Sequence, residues 1–335
     1  MPMRWKNPWF DPQKFHHQID GFRNLESNLR KPGDVERWRK ERKAQGLPHP
    51  PTAGYAAFTE QWWQKAELNG RDDRLWWLGH ATALLRINGR YLLTDPVFSR
   101  RASPLTIAGP ERKTPTPLRI NELHQLDAVL ISHNHYDHLD SSTVRQIAHR
   151  FPDTHFFVPL GLKRWFTRRG IRHVTELDWW QSFSWQEMTF TAVPAQHWSM
   201  RSFWDRNRSL WCGWIIESDN LRIWFSGDTG YTSGLADIAL RRGPLDVALI
   251  PIGAYSPRWF MSSHHMDPQQ AVMLWQQLGK PFTVPIHWGV FELADESLDM
   301  PPQELFAALK DAGEESGLFV PLRIGQSLPL SKVEV

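Results

Sequence analysis

Between residues 133 and 138 the chain reads His133-Asn134-His135-Tyr136-Asp137-His138, three imidazoles and a carboxylate within six residues. The run Asp127 to Ser132 before it is apolar and short, which reads as a strand. Ser141 to Phe151 after it has helical spacing, with Val144, Ile147 and Ala148 on one face. His133 and His135 are two apart, so an extended backbone projects both to the same side. Asp137 and His138 then turn toward a second position. Zinc takes imidazole nitrogen and carboxylate oxygen at about 2.0–2.2 Å. The segment therefore offers two donors to each of two neighbouring ions. Neither set is complete, and the fold has to bring further donors to this loop.

Three candidates lie where strands end. His197 follows the strand that contains Val193. Asp228 follows Leu221 to Ser226, inside Gly227-Asp228-Thr229-Gly230. His287 follows Thr283 to Ile286. Taken alone, each histidine reads as a half-buried packing residue, and Gly-Asp-Thr-Gly is good turn chemistry. The need of the 133–138 segment for partners raises all three. Together they make five His and two Asp, enough for two ions: three His on one, Asp137 with two His on the other, and Asp228 bridging. Two ions about 3.5–4 Å apart can lower the pKa of a shared water toward neutrality. Zinc suits the set, and iron or manganese would accept the same donors.

The rest of the chain alternates strand and helix signals. Leu75 to Ile87 and Tyr91 to Thr94 flank Asn88-Gly89, a hairpin turn signal. Strands are expected at His155 to Pro159, Met188 to Val193, Leu210 to Glu217, Leu221 to Ser226 and Asp246 to Ile252. Helices are expected at Leu162 to Arg169, Leu235 to Arg242 and Pro301 to Ala312. Asp267 reads as an N-cap with Pro268 at the first helical position. The pattern predicts stacked sheets covered by helices, an α/β fold. Residues 1–70 differ. Trp5, Trp9, Phe10 and Phe15 are scattered among Pro and polar residues, a basic stretch runs from Glu36 to Lys43, and Pro48-His49-Pro50-Pro51 follows. This reads as an N-terminal arm with short helices, packed on a main domain of residues 71–335. A sharper reading puts its aromatic and basic groups at a lipid interface.

The net charge of +3 over 335 residues gives no reason to expect a nucleic-acid partner. The single Cys212 cannot form an internal disulfide, and its apolar setting predicts a buried packing residue. No run approaches the ~18 apolar residues of a spanning helix. Met1 to Phe10 carries Arg4 and Lys6 and no apolar stretch, so no secretory signal is read there. A cytoplasmic location is the expectation, with contact at the inner face of a membrane left open. The 19 Trp and 18 Phe are read first as core and second as an acyl-chain groove.

The ligand series His133, His135, Asp137, His138, His197, Asp228, His287 resembles that of the metallo-β-lactamase superfamily. Longer stretches are similar to one family within it, the phospholipases D that hydrolyse N-acyl-phosphatidylethanolamine. These are Trp77-Leu78-Gly79-His80-Ala81-Thr82, Leu93 to Ser99, His133 to Asp140, Ile250 to Tyr255 and Pro257 to Met261. The similarity covers roughly residues 70 to 310. It implies a metallo-β-lactamase αββα sandwich with two zinc ions at the sheet edge, one on His133, His135 and His197, the other on Asp137, His138 and His287, with Asp228 bridging. It implies that Asp95 stands behind the site and orients a ligand imidazole. His265 matches the family's histidine near the reacting head group, where it would assist the leaving group. His264 stands where the family carries a glutamine, and Tyr136 is a third candidate for substrate contact. Catalysis would rest on Asp137, Asp228 and His265. The implied partner is a phospholipid, with peripheral membrane contact and a homodimer as further expectations. The rival within hydrolases is a lactone or another small phosphodiester as substrate, because a fold does not decide substrate. A scaffold without catalysis would be expected to lack some of the seven ligands.

Overall fold

The computed structural model describes residues 5–27, 30–105, 107–314 and 317–330. Arg4, part of the start of the arm, lies outside them. Two mixed sheets carry the fold. In the first, the strands run in the order Ser327–Pro329, Arg74–Gly79, Thr82–Ile87, Arg90–Thr94, Ala128–Leu130, His155–Pro159, Val174–Leu177. In the second the order is Phe282–Ile286, Val247–Pro251, Leu221–Phe225, Gly213–Ser218, Met188–Val193, Ser182–Trp185. Period-two alternation decides which side chains meet. Leu75 and Trp77 pack with Phe190, Trp214 and Phe225 of the other sheet. Trp76 and Leu78 point the other way and pack with Val144 and Ile147 of the helix Ser141–Arg150. On the far side Leu305 and Ala308 of Met300–Asp311 and Leu274 and Trp275 of Pro268–Gln277 join the inter-sheet core. The layers are therefore helix, sheet, sheet, helix. Six tryptophans, Trp76, Trp77, Trp211, Trp214, Trp224 and Trp275, are fully buried, so the aromatic wealth goes mainly into the core. Cys212 is buried as expected.

One strand expectation is corrected. Leu75 to Ile87 is not a single strand. Gly79 (φ 97°) and His80 (φ 53°) are both left-handed, and the chain reverses there into an antiparallel pair with Gly79 opposite Thr82. The turn residues are His80 and Ala81, and a positive φ at the first of them matches the twist of a tight hairpin. The Asn88-Gly89 hairpin forms, with Ile87 opposite Arg90. Asp267 caps its helix by accepting from the Gln270 N–H at 2.8 Å, with Pro268 at the start.

Both sheets begin with antiparallel hairpins and end with parallel pairings: 90–94 with 128–130, 128–130 with 155–159, 221–225 with 247–251, and 247–251 with 282–286. The carboxyl ends of parallel strands are where α/β folds gather ligand-binding loops. Asp95, His133, Asp228 and His287 each follow such an end.

The arm holds two helices, Asp34–Gln45 and Gly54–Trp62. The basic stretch lies on the first, which has no fully buried side chain and docks through half-buried Trp38, stacked on Phe260. A buried knot ties the arm down further upstream. Asp178 accepts from Lys14 Nζ (2.7 Å), His16 Nε2 (2.7 Å) and His17 Nε2 (3.0 Å). His17 Nδ1 accepts from the Asp11 N–H (3.2 Å), so the ring is neutral when docked. Burial lowers the pKa of His17 and Asp178 opposes it. The released arm would take up that proton near pH 6.5 and the docked arm only at lower pH, so docking is strongest above about pH 6.5. Burial works against the Asp178 charge, yet hydrogen bonds from His16 and Lys14 hold its carboxyl well below the usual carboxylate range. That contribution also fades as pH falls, but in a more acidic window. Deuterium exchange in residues 7–23, corrected for intrinsic rate, should therefore rise between about pH 7.5 and about pH 5.5. Exchange in Met188–Val193 should not, and a flat profile in the arm would rule out the His17 account.

Candidate metal centre

The loop after Ala128–Leu130 coils back on itself, with the His138 and Leu139 N–H groups donating to the His135 carbonyl at 3.2 and 2.8 Å. Asp140 then caps the next helix through the Ser142 N–H (3.0 Å). Nitrogens from three imidazoles converge on one point: His133 Nε2 lies 2.8 Å from His135 Nδ1, and His197 Nε2 lies 3.2 Å from the same atom. Three imidazoles cannot all satisfy one another by hydrogen bonds. A tetrahedral ion with bonds of about 2.0–2.1 Å would set such nitrogens about 3.3 Å apart, close to what is found. The second group is Asp137, His138 and His287, joined by His80. Asp137 Oδ2 stands 3.2 Å from His138 Nε2, 3.4 Å from His287 Nε2 and 2.9 Å from His80 Nε2. Asp228 lies between the groups. Its Oδ2 is 3.2 Å from His138 Nε2 and 3.6 Å from His197 Nε2, while Oδ1 is 3.1 Å from His287 Nε2.

All seven sequence candidates thus meet at one place, and the buried polar atoms there fit a metal pair. His138 Nε2, His287 Nε2 and Asp228 Oδ1 are buried without a hydrogen-bond partner. Burial disfavours charge on every group. It drives His133 and His135 well below the usual imidazole range, with the neighbouring rings adding to the effect. His197 falls to about 4 for the same reason, against the pull of Asp228. Burial works against His138 and His287 as well, yet Asp228 and Asp137 outweigh it and raise His138 well above the usual range and His287 to about 9. Both carboxylates are held well below their ordinary range by His138, despite their burial. The pocket therefore keeps its carboxylates ionised and favours positive charge beside them, while the three-histidine group stays neutral and ready to donate lone pairs.

The surroundings orient the donors. Asp95 accepts from His138 Nδ1 at 2.6 Å and from the Ser132 N–H at 2.7 Å. His197 Nδ1 donates to the His264 carbonyl at 3.0 Å. Asn24 of the arm brackets the His197 backbone, donating to its carbonyl (2.6 Å) and accepting from its N–H (2.9 Å). Sequence reasoning missed three of these groups. His80 sits inside a quoted motif, but nothing in its spacing marks it as a neighbour of Asp137. Asn24 is far away in the chain, and the His264 contribution is a main-chain oxygen. His265 is at the site, with its ring 5.1 Å from that of His197 and 5.3 Å from that of His287. The His264 side chain is buried behind His197, with both ring nitrogens unpartnered, beside a cavity of about 390 Å³ shared with Arg23, Asn24, Trp198 and Arg206. Tyr136 donates its hydroxyl to the Arg201 carbonyl at 2.8 Å and stacks under the Arg201 guanidinium.

A two-sheet sandwich with these donors at the strand ends is the architecture of a metal-dependent hydrolase. Residues 90–288 match the beta-lactamase superfamily domain. The chain is 41% identical over 249 residues to N-acyl-phosphatidylethanolamine-hydrolyzing phospholipase D 1 of Caenorhabditis elegans, covering 71% of this chain and 70% of that protein. It is 36% identical to the mitochondrial N-acyl-phosphatidylethanolamine-hydrolyzing phospholipase D of Saccharomyces cerevisiae, over 68% of this chain but half the yeast protein's length. Igni18, a metallo hydrolase from the archaeon Ignicoccus hospitalis, shares the fold with a TM-score of 0.59 at 21% identity, over 77% of this chain and 98% of its own. The chain belongs to the metallo-β-lactamase superfamily, and within it to the family of phospholipases D that hydrolyse N-acyl-phosphatidylethanolamine. Among the described residues no helix is long and apolar enough to cross a membrane.

Proposed function

We propose that this chain is a zinc-dependent phosphodiesterase that hydrolyses N-acyl-phosphatidylethanolamine to N-acylethanolamine and phosphatidic acid. The observation that carries the reading is the convergence of seven donors into two groups with Asp228 between them. Kinship with the nematode and yeast phospholipases supports the substrate. His133, His135 and His197 would hold one ion, Asp137, His138 and His287 the other, and Asp228 would touch both. Nitrogen-rich sites bind zinc more tightly than iron(II) or manganese(II), which favours zinc. When bound, the pair supplies Lewis acidity at the phosphoryl oxygens and a water that ionises near neutral pH.

The chain's own residues do the rest. Asp95 and the His264 carbonyl fix the tautomers of His138 and His197, which aims their lone pairs at the ions. His80 holds Asp137 through the same oxygen, Oδ2, that faces His138 and His287. His265 faces the same space and can donate a hydrogen bond to the leaving oxygen. In the net reaction water gives its hydroxyl to phosphorus, the bond from phosphorus to the ethanolamine oxygen breaks, and the remaining proton leaves on that oxygen. A lipid substrate comes from a bilayer, so peripheral membrane contact belongs to this reading.

Two measurements test it. Elemental analysis of zinc-supplemented protein should give about two ions per chain. A value near zero would sink the reading. Mass spectrometry of products from a panel in mixed micelles should find N-acylethanolamine. Each CH₂ buried contributes about 0.8 kcal/mol, so long acyl chains should be preferred over short, soluble diesters. If bis-p-nitrophenyl phosphate or a simple lactone is turned over far better than every lipid, the substrate is a small molecule instead.

A further inference from the structure

The loop 199–209, which joins the region of His197 to the strand Gly213–Ser218, carries the two most exposed aromatic side chains among the described residues. Phe203 is 89% exposed and Trp204 75%. The loop is firmly built. Asp205 Oδ1 accepts the N–H groups of Arg201 (2.9 Å) and Ser202 (2.8 Å), which closes a turn and leaves residues 203 and 204 at its tip. Its base is fastened to the metal-binding loop: Arg201 Nη1 donates to the Asn134 and Leu139 carbonyls (2.8 and 2.7 Å), and the Met200 N–H donates to Asn134 Oδ1 (2.8 Å). A second apolar tip stands nearby, where Leu105 is 57% and Ile107 86% exposed. Leu105 and Arg201 line one cavity of about 400 Å³, together with Tyr136, Arg100, Arg145 and Arg169.

The charge around these tips is mostly positive: Asp205 is taken up by the loop's own N–H groups, Glu111 is paired with Arg100 and Arg101, and Asp153 is the acid on the wall of the neighbouring cavity. The acid on that cavity wall, Asp140, is taken up by the Ser99 and Ser142 N–H groups and the Thr143 hydroxyl. Arg145 and Arg169 continue into a neighbouring cavity with Arg172. Lys163, Arg164 and Arg168 are exposed close by in the chain, and among the described residues none of these six cations pairs with a carboxylate. Large apolar side chains held in water mark a contact surface. Tryptophan favours the boundary of a bilayer, and cations beside it favour anionic head groups.

We infer that this face docks the enzyme on an anionic phospholipid surface, with Phe203, Trp204, Leu105 and Ile107 entering the lipid and the arginines meeting its phosphates. The occupant follows from charge complementarity and from the phospholipid reading of the neighbouring site, on which the inference rests. Docking here would hold the loop that carries His133 to His138, to which Met200 and Arg201 are fastened, close to the membrane that holds the substrate.

The test is co-sedimentation of the full-length, zinc-loaded protein with phosphatidylcholine vesicles, with and without phosphatidylglycerol. The wild type should bind the anionic vesicles, release them at high salt, and leave neutral vesicles largely unbound. Phe203→Ser with Trp204→Ser, and separately Arg164→Glu with Arg168→Glu, should each weaken binding by at least about tenfold. Zinc content and melting temperature should stay at wild-type values, and turnover of lipid in detergent micelles should persist while turnover of vesicle lipid falls. A wild type that stays in the supernatant, variants that bind as the wild type does, or a dimer that the aromatic pair of substitutions turns into a monomer would overturn the inference. Tip-dependent vesicle binding without hydrolysis of any phospholipid would instead uphold docking and remove the phospholipase reading.

Discussion

Asp228→Ala should strip the protein of at least one of the two metal ions proposed for it and lower turnover by at least about a thousandfold. Among the described residues Asp228 is the one carboxylate within 4.0 Å of nitrogens from both groups, His133 and His197 on one side and His138 and His287 on the other. Its loss also removes charge that the apo site depends on. Asp228 is the largest of the influences that raise His138 and His287 against burial, so without it both pKa values should fall. Breaking such a buried arrangement by deleting one partner typically costs about 3–5 kcal/mol, and the metal-free variant should melt lower than the metal-free wild type. Asp95→Ala provides the contrast. Asp95 touches His138 Nδ1 and not the space between the groups, so a loss of about 10–100-fold in metal affinity or activity is expected. Elemental analysis and kcat/KM measured on both variants decide the matter. Full activity in Asp228→Ala would mean that this carboxylate does not bridge.

The convergence of the seven proposed donors was legible because their signal is local or punctuated. His133 to His138 lie in one loop, and His197, Asp228 and His287 stand where apolar runs stop. A strand that stops at the sheet edge delivers its next side chain to the same rim as its neighbours. The contributions that escaped are those with no such mark. His80 reaches Asp137 only because the chain reverses at Gly79-His80, and an uninterrupted apolar run from Leu75 to Ile87 hides that turn. Asn24 acts on His197 across 173 positions of sequence. Val174–Leu177 and Ser182–Trp185 are strands with polar, partly exposed faces, and their short segments carry too few apolar residues to announce a period. The arm escaped in part because the helix Asp34–Gln45 has no fully buried side chain and docks mainly through the single aromatic Trp38, so its sequence shows charge without an apolar stripe.

Gly253→Ala should damage stability and the metal centre together. Gly253 follows Val247–Pro251 at the sheet rim, where Ile252 N–H still donates to the Ile286 carbonyl at 3.0 Å. A Cβ at residue 253 would stand 2.0 Å from the His287 carbonyl oxygen, 3.0 Å from its carbonyl carbon and 3.3 Å from Trp288 Cα. All three are main-chain atoms, so no side chain can swing aside. The His287 segment has little freedom to retreat, since its N–H donates to the His80 carbonyl at 2.9 Å and its φ is 65°. The added methyl should therefore push His287, and through it His80, away from Asp137. Overpacking of this kind costs on the order of 3 kcal/mol. Thermal denaturation should show that loss, and elemental analysis should find less metal per chain than in the wild type. Gly279→Ala separates this crowding from a general effect of replacing glycine. Its Cβ meets nothing within 4 Å, so only the left-handed φ of 84° is penalised, at about 1–2 kcal/mol. If Gly253→Ala melts no lower than Gly279→Ala and keeps both ions, the rim yields to a methyl group and the close approach of residues 253 and 287 does not hold the histidine in place.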